Sequence, residues 1–262
     1  MKPATQWGNQ TMPTTTIAMN LETENRLLKE LQDKGFTCLE NAIDPEFLRT
    51  CREQIDTLLE ERGERFFTII QPQNREGGAF AAMAATPGFV DLLRNLARRG
   101  HSEAAAKDFE LYNVLRVIAG DGAKGSFEFH YDATVVTALM PLYIPEGAPG
   151  TTGELIAMPN RRRYRGSAVI DILEKLLLQN PIAFRWYRKR YGAGNRNTVQ
   201  LRPGNLYFFW GYRTFHGNLP CQPGHKRATL IFHFGDPHAG HRLTQAVVKI
   251  RKFREERRLN AA

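Results

Sequence analysis

His130, Asp132 and His216 are the residues of this sequence whose types and order best suit chemistry. Two imidazoles and one carboxylate can occupy one face of a divalent iron ion and leave the opposite coordination positions open, as iron(II) oxygenases require. One residue separates His130 from Asp132, so on a β-strand both side chains would point the same way and could hold one ion. We therefore predict that these three residues are both the iron ligands and the catalytic residues.

Four other histidines compete for the third ligand position. His225 lies in a loop rich in proline and glycine, and His233 between two phenylalanines is typical of a core histidine. His238 and His241 follow the last strand-like run. His216 is preferred because it alone lies between the end of a strand-like run and an arginine that could anchor a co-substrate.

That arginine is Arg227, which opens a strand-like run with Thr229 two residues further on. A guanidinium group can bind a carboxylate through two parallel hydrogen bonds, and a hydroxyl on the same strand face can add another. Tyr112 and Arg116 also share one face of an earlier strand-like run. We predict that these four residues bind the co-substrate or an acidic substrate. Outward-facing arginines and an ordinary β-forming threonine are the alternative interpretations.

The elements that must position these residues follow a simple order, with helical patterns first and strand-like runs after them. This order is typical of a barrel-like β core with N-terminal helices rather than of an alternating β/α fold. Helices are predicted at 20–35, 44–63 and 86–100, and strands at 36–39, 109–118, 127–137, 139–144, 154–158, 206–210 and 228–234. The ligand pair would then lie within the strand 127–137, and the third ligand just past the end of the strand 206–210.

Residues 160–200 interrupt the strands with a helical pattern that is rich in arginine and aromatic residues. An insertion at the mouth of a barrel could form a lid or a pocket wall. The basic groups at 161–163 and 185–190 could bind a carboxylate, a phosphate, a CoA thioester or an acidic carrier protein. An equally supported alternative is a solvated amphipathic helix whose aromatic residues enter the core.

Composition favours a cytoplasmic enzyme. The chain has 262 residues, 42% of them hydrophobic, which is enough for one domain at 21–262 with its own core. Three widely spaced cysteines indicate neither a disulfide framework nor a thiolate metal site. Residues 1–20 lack the apolar core of a signal peptide and are predicted to form a flexible leader that could order over the active site, and no membrane partner is expected.

The net charge is +9, and a basic segment near the C-terminus carries much of the excess. Such a charge is compatible with nucleic-acid binding, but no recognised nucleic-acid motif accompanies it. A polar, basic helix at about 242–259 is therefore the preferred interpretation. The oligomeric state is left open by the sequence.

In combination, these motifs resemble the phytanoyl-CoA dioxygenase-like branch of the Fe(II)/2-oxoglutarate-dependent oxygenases. The resemblance is carried, in order, by residues 34–45, 129–132, 152–159, 203–206 and 216–218, with Arg227 after them. It implies a double-stranded β-helix core of the jelly-roll or cupin-like kind, iron(II) held by His130, Asp132 and His216, and 2-oxoglutarate anchored by Arg227, with O2 as the other co-substrate. The Pro-Gly-Ser-His string frequent in the family is here Pro-Asn-Arg-Arg-Arg at 159–163. This departure concerns the substrate-binding part of the resemblance and not the metal ligands.

The resemblance also implies an oxidoreductase that hydroxylates, or otherwise oxidises, an aliphatic C–H bond of a small metabolite of specialised metabolism. An anionic metabolite, or one linked to CoA or to a carrier protein, is the expected partner. Desaturation, cyclisation and epimerisation use the same iron site, so the outcome of the reaction stays open. Two alternatives remain, namely an oxygenase acting on nucleic acid or protein, suggested by the basic aromatic segment 184–191, and a redox-inactive metal-binding barrel.

Overall fold

The computed structural model describes residues 20–101, 110–165 and 168–238. The helices are α1 (Leu21–Lys34), α2 (Pro45–Arg62), α3 (Pro72–Arg75), α4 (Gly78–Ala85), α5 (Pro87–Gly100), α6 (Ala168–Leu178) and α7 (Pro181–Arg190). The strands are β1 (Phe36–Leu39), β2 (Phe67–Ile70), β3 (Tyr112–Ile118), β4 (Val136–Tyr143), β5 (Leu155–Met158), β6 (Thr198–Val199), β7 (Leu206–Trp210), β8 (Phe215–Asn218) and β9 (Arg227–Phe234). The expected N-terminal leader and C-terminal basic helix lie outside the described residues, apart from Asn20.

The first two helices begin and end where local sequence signals place them. Asn20 caps α1 by accepting a hydrogen bond of 2.7 Å from the backbone N–H of Thr23, and Gly35 ends it with a φ of 73° that disfavours other residues. Asp44 accepts hydrogen bonds from two N–H groups at the start of α2, where proline loses no helical bond. The sequence-based predictions for these two helices are confirmed.

Two antiparallel sheets form the β core. The larger has six strands in the order β1-β7-β4-β9-β3-β2, and the smaller has three in the order β6-β5-β8. Strand alternation turns one face of the large sheet toward the N-terminal helices, with Ala228, Leu230 and Phe232 in that core. Its other face meets the small sheet through a second apolar cluster: Leu139, Leu155, Ala157, Leu201, Tyr207 and Phe209. The two sheets therefore enclose an interior between them.

Helix α7 covers the outer face of the small sheet. Tyr187 in this helix and Tyr191 directly after it are buried against Phe129, Met158 and Phe215. Its arginines, by contrast, are exposed to solvent. The second half of the insertion thus matches the amphipathic-helix interpretation in part, with Tyr187 and Tyr191 in the core and the basic residues in solvent, whereas Trp186 is exposed.

The predicted strand at 127–137 is wrong in its first part. Phe127 has a φ of 59°, in the left-handed region, and His130 forms only an isolated bridge with His216. The regular strand begins at Val136 and runs without a break to Tyr143, so it merges two predicted strands. The physical reason is that the chain crosses here from the small sheet to the large one, which a straight strand cannot do.

The position predicted for His216 also needs correction, because this residue lies inside β8 rather than just past a strand. The chain leaves the large sheet after Trp210, turns, and enters the small sheet at Phe215. The short elements β2, β6, α3 and α4 were not predicted either. Helix α4 is apolar on all sides and therefore lacks the amphipathic period that reveals a surface helix. Within the described residues, no helix has the length and apolar character needed to cross a bilayer.

Candidate functional site

His130, Asp132 and His216 converge in the structure. Their ligand atoms all lie within 4.8 Å of one another. Asp132 Oδ1 is 3.5 Å from His130 Nε2 and 3.8 Å from His216 Nε2. The backbones of the two histidines exchange hydrogen bonds of 2.9 and 3.0 Å, and this bridge brings the distant third ligand beside the first.

Backbone carbonyl groups orient both imidazole rings. His130 Nδ1 lies 2.8 Å from the carbonyl oxygen of Glu128, and His216 Nδ1 lies 3.1 Å from that of Thr214. A carbonyl oxygen can only accept, so each Nδ1 carries the proton and donates. Each Nε2 then presents its lone pair to the centre of the cluster, as a metal ligand must.

The second oxygen of Asp132 is held from the other side by Thr137. The buried Thr137 hydroxyl donates a hydrogen bond of 2.5 Å to Asp132 Oδ2. His233 Nδ1 lies 3.3 Å from the same hydroxyl and 3.9 Å from Oδ2. Oδ1 is therefore the oxygen that faces the two ligand imidazoles. Thr137 was not predicted as a functional residue. Its only signal in the sequence is its position two residues before Leu139, which places both side chains on the same, inner face of the strand.

Electrostatics favours the ligand forms of these groups. Burial lowers the pKa of His216 to about 4 despite the opposing effect of Asp132, so its imidazole is neutral at physiological pH. Burial opposes ionisation of Asp132, but the imidazoles of His216, His233 and His130 outweigh it and hold the pKa of this carboxyl well below its usual range. A neutral imidazole and a carboxylate are the states in which these side chains bind metal.

A glycine allows the carboxylate segment to approach the end of β7 closely. A Cβ atom at Gly211 would lie 2.3 Å from Thr137 Oγ1 and 3.0 Å from Asp132 Oδ2. The carbonyl of Gly211 accepts a hydrogen bond of 3.1 Å from the N–H of Asp132. A side chain at this position would therefore displace the hydroxyl, the carboxylate or both.

Arg227 and Thr229 lie on the inner face of β9, and Arg116 lies opposite Thr229 on β3. Arg227 is only 4% exposed, and no hydrogen bond or ion pair to it is found in the described part of the chain. The Thr229 hydroxyl and Arg116 Nε are also buried without a hydrogen-bond partner. Burial lowers the pKa of Arg227 to about 10, so the guanidinium remains charged at neutral pH. A buried cation without a carboxylate is costly and calls for an anion.

Tyr112 lies further along the same inner face, opposite His233 on β9. The two ring centroids are 5.9 Å apart. The four residues predicted to bind an acidic group thus share one side of one sheet. His233, a rival for the third ligand position, is near Asp132 but outside the three-residue cluster.

No protein-family model matches this sequence, and no curated protein matches it. Solved structures do resemble it. A prolyl 4-hydroxylase from Phytophthora capsici aligns with a TM-score of 0.53 and 16% identity over 80% of this chain and 62% of its own length, so this chain spans less than two thirds of that protein. A Pseudomonas putida prolyl-4-hydroxylase aligns with a TM-score of 0.51 and 14% identity over 86% of this chain and 96% of its own length.

EvdO2 from Micromonospora carbonacea var. aurantiaca aligns with a TM-score of 0.52 and 15% identity over 86% of this chain and 94% of its own length. A second EvdO2 structure contains 2-oxoglutarate. At these identities the likeness concerns the fold. The fold is a double-stranded β-helix. The sequence-based prediction of a mainly β double-stranded β-helix with flanking helices is confirmed.

In this double-stranded β-helix, one arginine of the basic group 161–163 is buried and makes its contacts within the protein. Arg162 is 8% exposed, and its guanidinium lies over the rings of Tyr131 and Tyr212 at 4.2 and 3.7 Å from their centroids. It also forms ion pairs with Asp171, at 3.2 Å, and with Glu174 on helix α6. Arg162 therefore fastens the insertion to the β-helix, and its carboxylate partners leave it no capacity for an anionic substrate.

The other described rivals for the third ligand position lie outside the cluster. His238 Nε2 lies 2.9 Å from Asp171 Oδ2, so it takes part in the contacts of helix α6. His225 directly follows a turn, with its N–H bonded to the carbonyl of Gln222, and is outside the three-residue cluster. His241 is outside the described residues. The geometry thus favours His216 over each described rival.

Proposed function

We propose that this protein is an Fe(II)- and 2-oxoglutarate-dependent dioxygenase that oxidises an aliphatic C–H bond of a small metabolite. The observation that carries the proposal is the pairing of two features on the interior of one β-helix. One is the cluster of His130, Asp132 and His216. The other is the buried Arg227, a cation that forms no ion pair within the described residues, with Glu154 acting on it only as a nearby charge.

The cluster fits iron(II). In the described part of the chain, no fourth histidine, cysteine or carboxylate completes it. A structural zinc site is closed by four protein ligands, whereas two imidazoles and one carboxylate leave positions open for a co-substrate and O2. The carbonyl groups that hold both Nδ1 atoms keep the ligand nitrogens directed inward before any ion arrives.

The inner face of β9 fits the far carboxylate of 2-oxoglutarate. We assign that carboxylate to Arg227 and the unpartnered Thr229 hydroxyl, because a guanidinium fork and a hydroxyl together match a carboxylate. We assign Arg116 and Tyr112 to the keto-acid end or to an acidic substrate group. The EvdO2 structure that contains 2-oxoglutarate supports the view that this fold can hold that molecule.

When bound, iron(II) and 2-oxoglutarate supply an oxidant from O2, with succinate and carbon dioxide as co-products. The chain contributes positioning and charge. Thr137 and Gly211 fix the Asp132 carboxylate, and Arg227 would hold the far carboxylate of the diacid. Because these groups are buried and already oriented, little reorganisation is needed on binding.

For the substrate, we propose an anionic, CoA-linked or carrier-linked metabolite of specialised metabolism, in keeping with the resemblance to the phytanoyl-CoA dioxygenase-like branch. Arg161 and Arg163 are exposed and could attract such a molecule. The three free cysteines suit a reducing compartment, so we place the reaction in the cytoplasm.

The test is succinate formation from 2-oxoglutarate with and without Fe(II), while carboxylic acids and acyl thioesters are screened for stimulation. His130→Ala and Asp132→Ala should reduce the iron-dependent signal to background, because each removes a ligand. His225→Ala removes a histidine outside the cluster and should retain activity. Unaltered turnover in either ligand variant would refute the proposal, as would metal binding without any affinity for 2-oxoglutarate.

A further inference from the structure

A cavity of about 600 Å3 lies between helices α6 and α7 and the outer side of the small sheet. This volume falls in the range of small-molecule sites, roughly 300–1,000 Å3. Its walls include Tyr131, Trp186, Tyr187, Tyr191 and Phe215. They include neither a residue of the three-ligand cluster nor Arg227.

Strand alternation separates this cavity from the candidate iron site. Phe215 precedes His216 in β8 and points to the opposite face of the sheet, where it packs with Tyr187. The ring of Tyr131, between the two other ligand residues, lies 5.1 Å from that of Phe215. The cavity and the candidate iron site thus lie back to back on the same backbone segments.

Most hydrogen-bonding capacity in the cavity wall is already used within the protein. The Tyr187 hydroxyl donates to the carbonyl of Leu178, and the Tyr191 hydroxyl donates to Met158 Sδ. The Asn180 side chain accepts from two N–H groups at the start of α7 and donates to two carbonyls at the end of α6. What remains for an occupant is mainly apolar and aromatic surface.

The charge of the wall is positive. Two charged side chains line the cavity, Glu174 and Arg161. Glu174 is neutralised by ion pairs with Arg162 and Arg165. Arg161 is exposed and has no acidic partner in the described part of the chain. An occupant with one negative group would therefore meet one available guanidinium.

Among the described side chains of helix α6, Asp171 and Glu174 pair with Arg162, whereas four large apolar residues are exposed to solvent. Six of the seven exposed large hydrophobic residues in the described chain belong to α6 and α7: Ile170, Leu173, Leu176, Leu177, Ile182 and Trp186. Three of them, with exposed fractions of 72%, 72% and 54%, form the rim of the cavity: Leu177, Ile182 and Trp186. Exposed apolar side chains gathered at the rim of a cavity favour an apolar occupant.

We propose that this cavity is a second ligand site, separate from the iron centre, that binds a hydrophobic monoanion. The apolar body of the ligand lies among the aromatic rings, and its single carboxylate or sulfonate group pairs with Arg161. The site is independent of the oxygenase chemistry, because its lining shares no side chain with the proposed iron and 2-oxoglutarate site.

The test compares two fluorescent probes with the same aromatic body. 8-Anilinonaphthalene-1-sulfonate carries one negative charge, and N-phenyl-1-naphthylamine carries none. The sulfonate should bind the wild-type protein with one-to-one stoichiometry and more tightly than the amine. Arg161→Gln should weaken the sulfonate about tenfold, the loss expected for one partly solvated charge-assisted contact, and should leave the amine unchanged.

Arg163→Gln is the matched control, because it removes an exposed arginine that does not line the cavity. It should leave the affinity for both probes at the wild-type value. Leu177→Glu places a negative charge on a solvent-exposed rim position that folding tolerates, so it should weaken the sulfonate more than the amine. Equal effects of Arg161→Gln and Arg163→Gln, or binding of many probe molecules per chain, would overturn the proposal.

A competition experiment separates this site from the iron centre. Saturating Mn(II) and 2-oxoglutarate should leave the bound sulfonate in place, because they would occupy the opposite face of the sheet. Displacement of the probe by this pair would overturn the claim of a second site. Failure of 2-oxoglutarate to bind, with probe binding intact, would refute the proposed function and leave this inference standing.

Discussion

Replacing Thr137 by valine tests whether the carboxylate of Asp132 is held ready for a metal. The substitution keeps the shape of the side chain but removes the hydroxyl that donates a 2.5 Å hydrogen bond to Asp132 Oδ2 in a buried setting. A hydrogen bond to a charged group contributes about 1.5–3 kcal/mol. Loss of a partner of this kind lowers metal affinity about 10- to 100-fold, equivalent to about 1.4–2.7 kcal/mol. The two estimates agree.

The assay is anaerobic calorimetric titration with Fe(II), repeated with Mn(II) in air. Thr214→Val is the matched control, because the Thr214 hydroxyl is also buried but has no hydrogen-bond partner in the described structure. The control keeps the backbone carbonyl that orients His216 and should bind metal like the wild type. If Thr137→Val also bound metal like the wild type, the reasoning about Asp132 would be refuted.

Two further predictions concern arginines. Because the pKa of Arg227 is lowered only to about 10, its charge persists at neutral pH. The affinity for 2-oxoglutarate, measured by calorimetry with Mn(II), should therefore fall as the pH rises through the pKa of Arg227. A fall that begins below neutral pH would contradict the assignment. Arg162→Met leaves Asp171 and Glu174 without their buried partner, and it should lower the free energy of unfolding, measured in urea, by about 3 kcal/mol. The control is Arg163→Met at an exposed position, which should change that free energy by less than about 0.5 kcal/mol. Similar losses in both variants would show that the Arg162 contacts are not stabilising.

The chemistry of the ligand residues could be inferred from sequence because their side-chain types are restrictive. His130, Asp132 and His216 were selected by type and order, and the structure brings their ligand atoms together. Arg227 and Thr229 were selected by strand alternation, which also holds in β9. The helix starts at Asn20 and Asp44 depend on neighbouring residues only, which makes them accessible to local reasoning.

Features that depend on contacts between segments distant in sequence could not be predicted in this way. Residues 127–135 have the composition of a strand, yet the chain must cross between two sheets there, and local preference gives way to topology. The roles of Thr137 and Gly211 depend on the close approach of the end of β7 to the segment that carries Asp132. These segments are far apart in sequence, so local patterns do not reveal their contact. Arg162 was predicted as part of a basic group that could bind an anionic substrate, but its aromatic and acidic neighbours, which come from distant parts of the sequence, give it a structural role.

The segment that carries His130 and Asp132 joins the small sheet through a single bridge and adds no strand to the large one. Ala133 and Thr134 lie outside the strand pairings and are not buried, so substitutions there would leave the paired scaffold intact, whereas Val135 belongs to the core. Changes at these two positions could therefore alter the orientation of His130 and Asp132 while the six-stranded sheet keeps its pairings. The orientation of these two side chains and the stability of the framework thus depend on different stretches of one polypeptide.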